Sequence, residues 1–251
     1  VILVSLGFGV GGAIGGFVFS YFFAIILTAY FIMKYFRIKK EKFKGSDIYK
    51  YSFPVLIILV TLTGIYTLDL LLVKHFFDPV DAGFYAALSL LGKVIFFGTL
   101  SIGMVMFSKV AENYAANKEH RTLLYKSLLL VTGFGGGITV FYFLFPRFTI
   151  SLLFGSEFFA MSSLLGLFGT FMTIFSLVYI LAFYNASIHK TNFVYILILF
   201  NIVEIILITL FHDTLLQVVL MLLGLVILLF ISLLFYTFLT HEKPIHNYSG
   251  I

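Results

Sequence analysis

The chain has 251 residues, 61% of them apolar and 11% charged, with a formal charge of +5 and a mean hydropathy of +1.12. A soluble domain of this size is about half apolar and about a quarter charged, so a water-soluble enzyme, a secreted disulfide scaffold and a DNA-binding module are all excluded. There is no cysteine, which removes disulfides, thiolate metal sites and cysteine nucleophiles. What remains is an all-α integral membrane protein.

Val1 lies inside an apolar run with no initiator Met and no charged leader, so the sequence reads as an N-terminally incomplete piece of a longer protein. A crossing needs about 20 mostly apolar residues, and seven runs meet that demand. The first lies within Gly11–Met33, with Val1–Val10 as the end of a preceding crossing. A polar stretch, Lys34–Lys50, follows. Its Phe36 and Phe43, seven apart among lysines, fit a short helix lying on the membrane surface or simply a solvated basic loop. Ser46 and Asp47 can cap the next helix, and Pro54 is tolerated in its first turn. The second span is Tyr51–Val73, the third Phe84–Phe107, the fourth Leu123–Phe145 and the fifth Phe159–Tyr184. The sixth is Asn192–Phe211 and the seventh Leu215–Leu239, before a tail of residues 240–251. The runs are continuous and do not alternate, which indicates helices and not a β-barrel.

Lysine and arginine set the orientation. Lys34, Arg37, Lys39, Lys40, Lys42, Lys44 and Lys50 separate the first two spans, and Lys109, Lys118, Arg121 and Lys126 lie between the third and fourth. Lys190 and Lys243 belong to the same side, whereas the opposite loops hold only Lys74 and Arg147. This asymmetry predicts a cytoplasmic C-terminus. It also explains the basic balance through topology and anionic lipid contact, without nucleic acid.

Five segments in order carry a family resemblance: Lys50-Tyr51-Ser52-Phe53-Pro54, Asp69 through Phe76, Asp81 through Ala87, Phe107 through Glu112, and Leu153-Phe154-Gly155-Ser156-Glu157. The chain resembles the Wzx-like oligosaccharide flippases, polysaccharide biosynthesis proteins of the multidrug/oligosaccharidyl-lipid/polysaccharide exporter superfamily. The resemblance implies two six-helix lobes joined by a cytoplasmic linker. Residues 1–33 would then end the first lobe, 34–50 form the linker, 51–239 form a complete second lobe and 240–251 form a cytoplasmic tail. Ser108 stands where the family commonly has proline, so the third span is expected to end less sharply. The implied activity is the flipping of a lipid-linked oligosaccharide across the inner membrane by alternating access, with membrane lipids, the missing N-terminal lobe and a polysaccharide polymerase as partners and no cofactor.

Asp69, Lys93 and Glu204 are the ionisable residues inside predicted spans. A charge at the bilayer centre costs roughly 2.5–3.5 kcal/mol on insertion scales, so such residues tend to face a cavity or a partner. Counted from the span ends, Asp69 and Lys93 differ in depth by roughly 7 Å, which a lysine stem can bridge. The pair either fixes helix packing or lines the cavity between lobes, with Lys93 attracting an anionic phosphate head group and Asp69 modulating it. Glu204 and Asn201 share one face of the sixth span. A carboxyl group held away from water there suits proton carriage or Na⁺ binding, the plainer alternative being a glutamic acid hydrogen-bonded between helices.

Other patterns carry little. Gly7 through Gly12 satisfies G-x-G-x-x-G without a βαβ setting, and its small residues fit close helix packing or a tight turn. Gly92-Lys93-Val94 lacks the rest of a phosphate loop. Asn185-Ala186-Ser187 and Asn247-Tyr248-Ser249 are glycosylation sequons on the cytoplasmic side, and the histidines have no metal-ligand spacing. Gly133 and Gly135–Gly137 predict a kink or close approach in the fourth span. Competing functions are a drug/cation antiporter of the same superfamily, a membrane polysaccharide polymerase and a seven-helix receptor. The short outer loops offer no acid/base or nucleophile set for an enzyme.

Overall fold

The computed structural model describes residues 4–33 and 45–239, apart from the side chains of residues 4, 6 and 45–51. The expected surface helix through Phe36 and Phe43, the capping side chains of Ser46 and Asp47, and the tail of residues 240–251 lie outside what is described. The chain divides into two compact units, Val1–Gly45 and Ser46–Ile251.

In the first unit a π-helical turn, Val4–Phe8, leads into α1, Gly9–Ile32. Gly7 and Gly9 have φ of +89° and +51°, a region open to glycine and strained for other residues. Gly7 and Gly9 therefore form a kink at the start of α1, and the later glycines of the run lie within the helix. A Cβ at Gly11 or Gly15 would meet nothing within 4 Å, so close packing is not what these two small residues serve within this unit. Helix α1 is apolar all round, as a membrane span is.

The second unit contains α2 (Gly45–Ile65), α3 (Leu68–Phe76), α4 (Pro79–Ala115), α5 (Arg121–Leu144) and the short α6 (Pro146–Leu153). A 3₁₀ turn, Ser156–Met161, then precedes α7 (Ser162–Ser187), α8 (Val194–Leu210) and α9 (Leu215–Leu239). Among the described residues there is no strand, six segments are long and apolar enough to cross a bilayer, and α8 is a shorter apolar helix. These seven follow the order of the seven predicted spans. The protein is a helical, multi-pass membrane protein.

Helix α7 is the hub, packed against α4, α5 and α9. Phe168, Phe171, Met172, Phe175 and Val178 on it are fully buried. Lipid tails are as apolar as leucine, so such helices hold together by close packing and interhelical hydrogen bonds more than by exclusion of water. Both are present. A Cβ on Gly92 of α4 would lie 2.5 Å from the Phe168 ring, so only glycine lets α4 and α7 approach this closely. Tyr142 donates to the Leu91 carbonyl at 2.9 Å, Thr139 and Thr173 share a 2.8 Å bond, and Asn185 donates to Thr237 at 2.7 Å.

Several boundaries depart from expectation: α2 begins at Gly45, six residues before Tyr51, so Pro54 lies inside the helix and not in its first turn. The second span is broken at Tyr66–Thr67 into α2 and α3. Helix α4 starts five residues before Phe84, because Asp78 accepts hydrogen bonds from the N–H groups of Val80 (2.8 Å) and Asp81 (3.1 Å) and Pro79 suits the first helical position. It also runs on past Ser108 to Ala115, as the absence of proline at that position allows. Helix α5 passes through Gly133 and Gly135–Gly137 without a break. Gly135 alone of these makes a close approach, to Thr173 of α7 at 3.0 Å, while the other three face open space.

Candidate functional site

The break in the second span organises the site. The Thr67 N–H donates to the Gly64 carbonyl at 2.9 Å in a tight turn, interrupting the four-residue ladder. Gly64 has no side chain, and the Asn201 carboxamide of α8 occupies the space its Cβ would need. From there the Asn201 amide donates to the Thr61 carbonyl at 3.0 Å and to Leu197 of its own helix at 2.8 Å. One polar side chain thus ties α8 to the end of α2.

Beyond the break α3 packs against both α4 and α8. Asp69 lies in its first turn, where a carboxylate complements the helix dipole, and is 0% exposed. Its Oδ2 accepts the Tyr85 hydroxyl at 2.7 Å, while Oδ1 has no partner. The Tyr85 ring stands edge-on to Phe168 at 5.7 Å. Glu204 of α8 is 1% exposed, with neither carboxyl oxygen hydrogen-bonded. Asp69, Glu204 and Tyr85 lie within electrostatic range of one another. Ser89, one turn along α4 from Tyr85, is likewise buried with an unpartnered hydroxyl.

Helix counting explains the grouping. Asp69 lies seven residues from the end of α3, Tyr85 six from the start of α4, and Glu204 six from the end of α8. At about 1.5 Å per residue all three sit roughly 10 Å inside the same end of the bundle, the end that carries the Phe77–Asp78 turn. Lys93 is fourteen residues into α4, roughly 10 Å deeper than Asp69. It makes no salt bridge with Asp69. Its ammonium stands over the Tyr66 ring, 5.6 Å from the centroid, at the level of the break. Tyr66 is itself packed against Phe96 (5.1 Å) and Phe175 (5.6 Å). The expected Asp69–Lys93 bridge is thus replaced by an Asp69–Tyr85 hydrogen bond and a Lys93–Tyr66 cation–π contact: α4 extends two residues further past its predicted end than α3 does, which adds about 3 Å to their offset, and the Tyr66 ring takes the ammonium.

Of the four residues singled out in the sequence, Asp69, Asn201 and Glu204 converge on the break, and Lys93 lies beside it as a half-buried cation. Sequence reasoning missed Tyr85, Ser89 and Tyr66. The four-residue spacing of Tyr85, Ser89 and Lys93 places them on one face of α4, and that polar stripe was the available signal. No cluster of three or more His, Cys, Asp or Glu residues occurs among the described residues. Chemically, the site offers three free carboxyl oxygens in a dry setting, next to an interrupted helix.

A family model described as polysaccharide biosynthesis protein matches residues 1–163, which include Asp69, Tyr85 and Lys93 but not Asn201 or Glu204. No curated protein and no solved structure matches the chain. With more than half its length matched, and with the membrane-helical architecture described above, the chain belongs to the polysaccharide biosynthesis protein family.

Proposed function

We propose that this chain is part of a transporter that flips a lipid-linked oligosaccharide across the cytoplasmic membrane by alternating access, driven by an ion gradient. The observation that carries the reading is the pair of buried carboxyl groups, Asp69 and Glu204, with three oxygens lacking any donor beside a broken membrane helix. Interrupted spans whose ends meet ionisable groups near mid-membrane are a recurring way to hold an ion that a carrier binds and releases. Glu204 and Asn201 take the coupling role, with a proton or Na⁺ as the coupled species and Asp69 sharing its charge. Lys93 supplies the positive site for the phosphate of the head group, since it forms no salt bridge with a described residue, Asp69 acting on it only at longer range, and the Tyr66 ring steadies it without neutralising it.

In this reading residues 1–33 close a first lobe, the second unit is the other lobe, and the two rock about a shared cavity. In the same reading the C-terminus is cytoplasmic, which the lysine and arginine asymmetry supports. The protein is a carrier and not an enzyme, working beside the polymerase that consumes the flipped lipid.

The test is transport of a fluorescent lipid-linked oligosaccharide in proteoliposomes holding the full-length protein. Glu204→Gln should abolish the response to an imposed Na⁺ or proton gradient, and Lys93→Gln should lower transport under every gradient. Unchanged transport and unchanged ion dependence in Glu204→Gln would remove the coupling role.

A further inference from the structure

At the opposite end of the bundle from Asp78, the surface between α4 and α5 forms an open groove of about 380 Å³. Ile102, Val105, Met106 and Leu130 give it apolar walls, and Lys109 and Lys126 also line it. Both lysines are exposed. Lys109 is held by Glu112 at 2.9 Å, one turn further along α4, and Lys126 makes no ion pair with any described residue. A pair of cations above an apolar slot between two membrane helices matches one chemistry: a phosphate head group with acyl chains beneath it.

The geometry points to a binding site for an anionic phospholipid in this groove, in the leaflet at the α4–α5 turn. The phosphate sits between Lys109 and Lys126, and one acyl chain lies along Val105 and Leu130. Juxtamembrane lysines each strengthen binding to anionic lipid. Glu112 is a built-in competitor, because it holds the Lys109 ammonium that the phosphate requires. The site is separate from the Asp69–Glu204 cluster and does not depend on the transport reading.

The competitor gives the test its discriminating sign. The chain in detergent micelles is titrated with phosphatidylglycerol and, separately, with phosphatidylcholine, and bound lipid is counted by native mass spectrometry. Lys109→Gln and Lys126→Gln should each weaken phosphatidylglycerol binding about fivefold. Glu112→Gln should tighten it about two- to fivefold by freeing Lys109. Lys118→Gln, in the neighbouring turn but outside the groove, should change nothing, and phosphatidylcholine should bind equally to all forms. A purely structural Lys109–Glu112 pair would weaken binding from either side, so weakening by Glu112→Gln overturns the site. Equal loss in Lys118→Gln overturns it too, by reducing it to diffuse surface charge. Competition by millimolar inorganic phosphate as strong as that by phosphatidylglycerol assigns the groove to a free anion and overturns the lipid.

Discussion

Replacing Tyr85 with Phe removes one oxygen atom and tests the packing logic of the site. The aromatic ring stays, and with it the edge contact to Phe168 at 5.7 Å, so the change isolates the 2.7 Å hydrogen bond to Asp69 Oδ2. Asp69 is 0% exposed and its other oxygen lacks a partner, so the variant removes the carboxyl group's side-chain donor and leaves it only the nearby backbone N–H groups of Leu70 and Asp69. Orphaning a buried acceptor costs about 1–3 kcal/mol, and the upper half applies to bonds with a carboxylate. We therefore expect Tyr85→Phe to destabilise by about 2 kcal/mol. Removing both partners costs far less than removing one, so Asp69→Leu combined with Tyr85→Phe should recover most of that loss. The assay is equilibrium unfolding in mixed micelles for wild type, both single variants and the double variant, giving a coupling energy above about 1 kcal/mol. Additive effects, or a Tyr85→Phe cost below about 0.5 kcal/mol, would refute the reasoning, since Asp69 would then have another donor or contact with water.

Three further outcomes use the same unfolding assay. Gly64→Ala should destabilise by about 1–3 kcal/mol, because its Cβ enters the space of the Asn201 carboxamide and breaks the tie to Thr61. Gly92→Ala should cost a similar amount, since its Cβ meets the Phe168 ring at 2.5 Å and Met172 at 2.8 Å, whereas Gly136→Ala, which meets nothing within 4 Å, should stabilise by up to about 1 kcal/mol through helix propensity. Glu204→Met should leave stability unchanged or raised, because an apolar side chain removes two unsatisfied buried oxygens, and a loss above about 2 kcal/mol would mean that the carboxyl group is structurally paired.

The spans were legible because a bilayer demands long apolar runs and the sequence supplies them without interruption. Their ends were not, because composition scanning stops where apolar residues thin out, whereas the helix stops where its backbone finds a cap. Asp78 and Pro79 begin α4 five residues before the first apolar run suggested, and α3 runs three residues past its own expected end, so at the depth of Asp69 the facing residue of α4 is Tyr85. The break at Tyr66–Thr67 was invisible for a related reason. Thr61, Thr63, Ile65 and Thr67 are β-branched residues around one glycine, a mixture that weakens a helix only slightly. Beside the break stands Asn201, from another helix 137 positions beyond Gly64 and bonded to the Thr61 carbonyl, and a linear reading holds no trace of that contact. Asp69, Asn201 and Glu204 stood out because charge and amide groups are costly in hydrocarbon. Tyr85 and Ser89 did not, because hydroxyls in such spans are common and cheap.

The energetics of the break bear on what it is for. Three free carboxyl oxygens, one free hydroxyl at Ser89 and an interrupted ladder all lie in the region where α3 meets α4 and α8. At about 1–3 kcal/mol for each orphaned buried group, the sum rivals the whole stability of a typical domain, about 5–15 kcal/mol. Packing alone gives no reason for such a core: leucine at positions 69 and 204 would join the same helices without the penalty. The hub around α7 comes closer to that cheaper solution: its core is apolar or hydrogen-bonded to a neighbour, with the Asn185 carboxamide oxygen left unpartnered. The contrast between the two regions is therefore informative. If the proposed coupling holds, a bound proton or cation would neutralise or coordinate these oxygens and offset much of the cost, so the site should be most stable when occupied. A span already cut at Tyr66–Thr67 can yield between its occupied and empty states without unravelling a continuous helix. On the proposed transport reading, the unsatisfied groups are thus concentrated where such a carrier would switch.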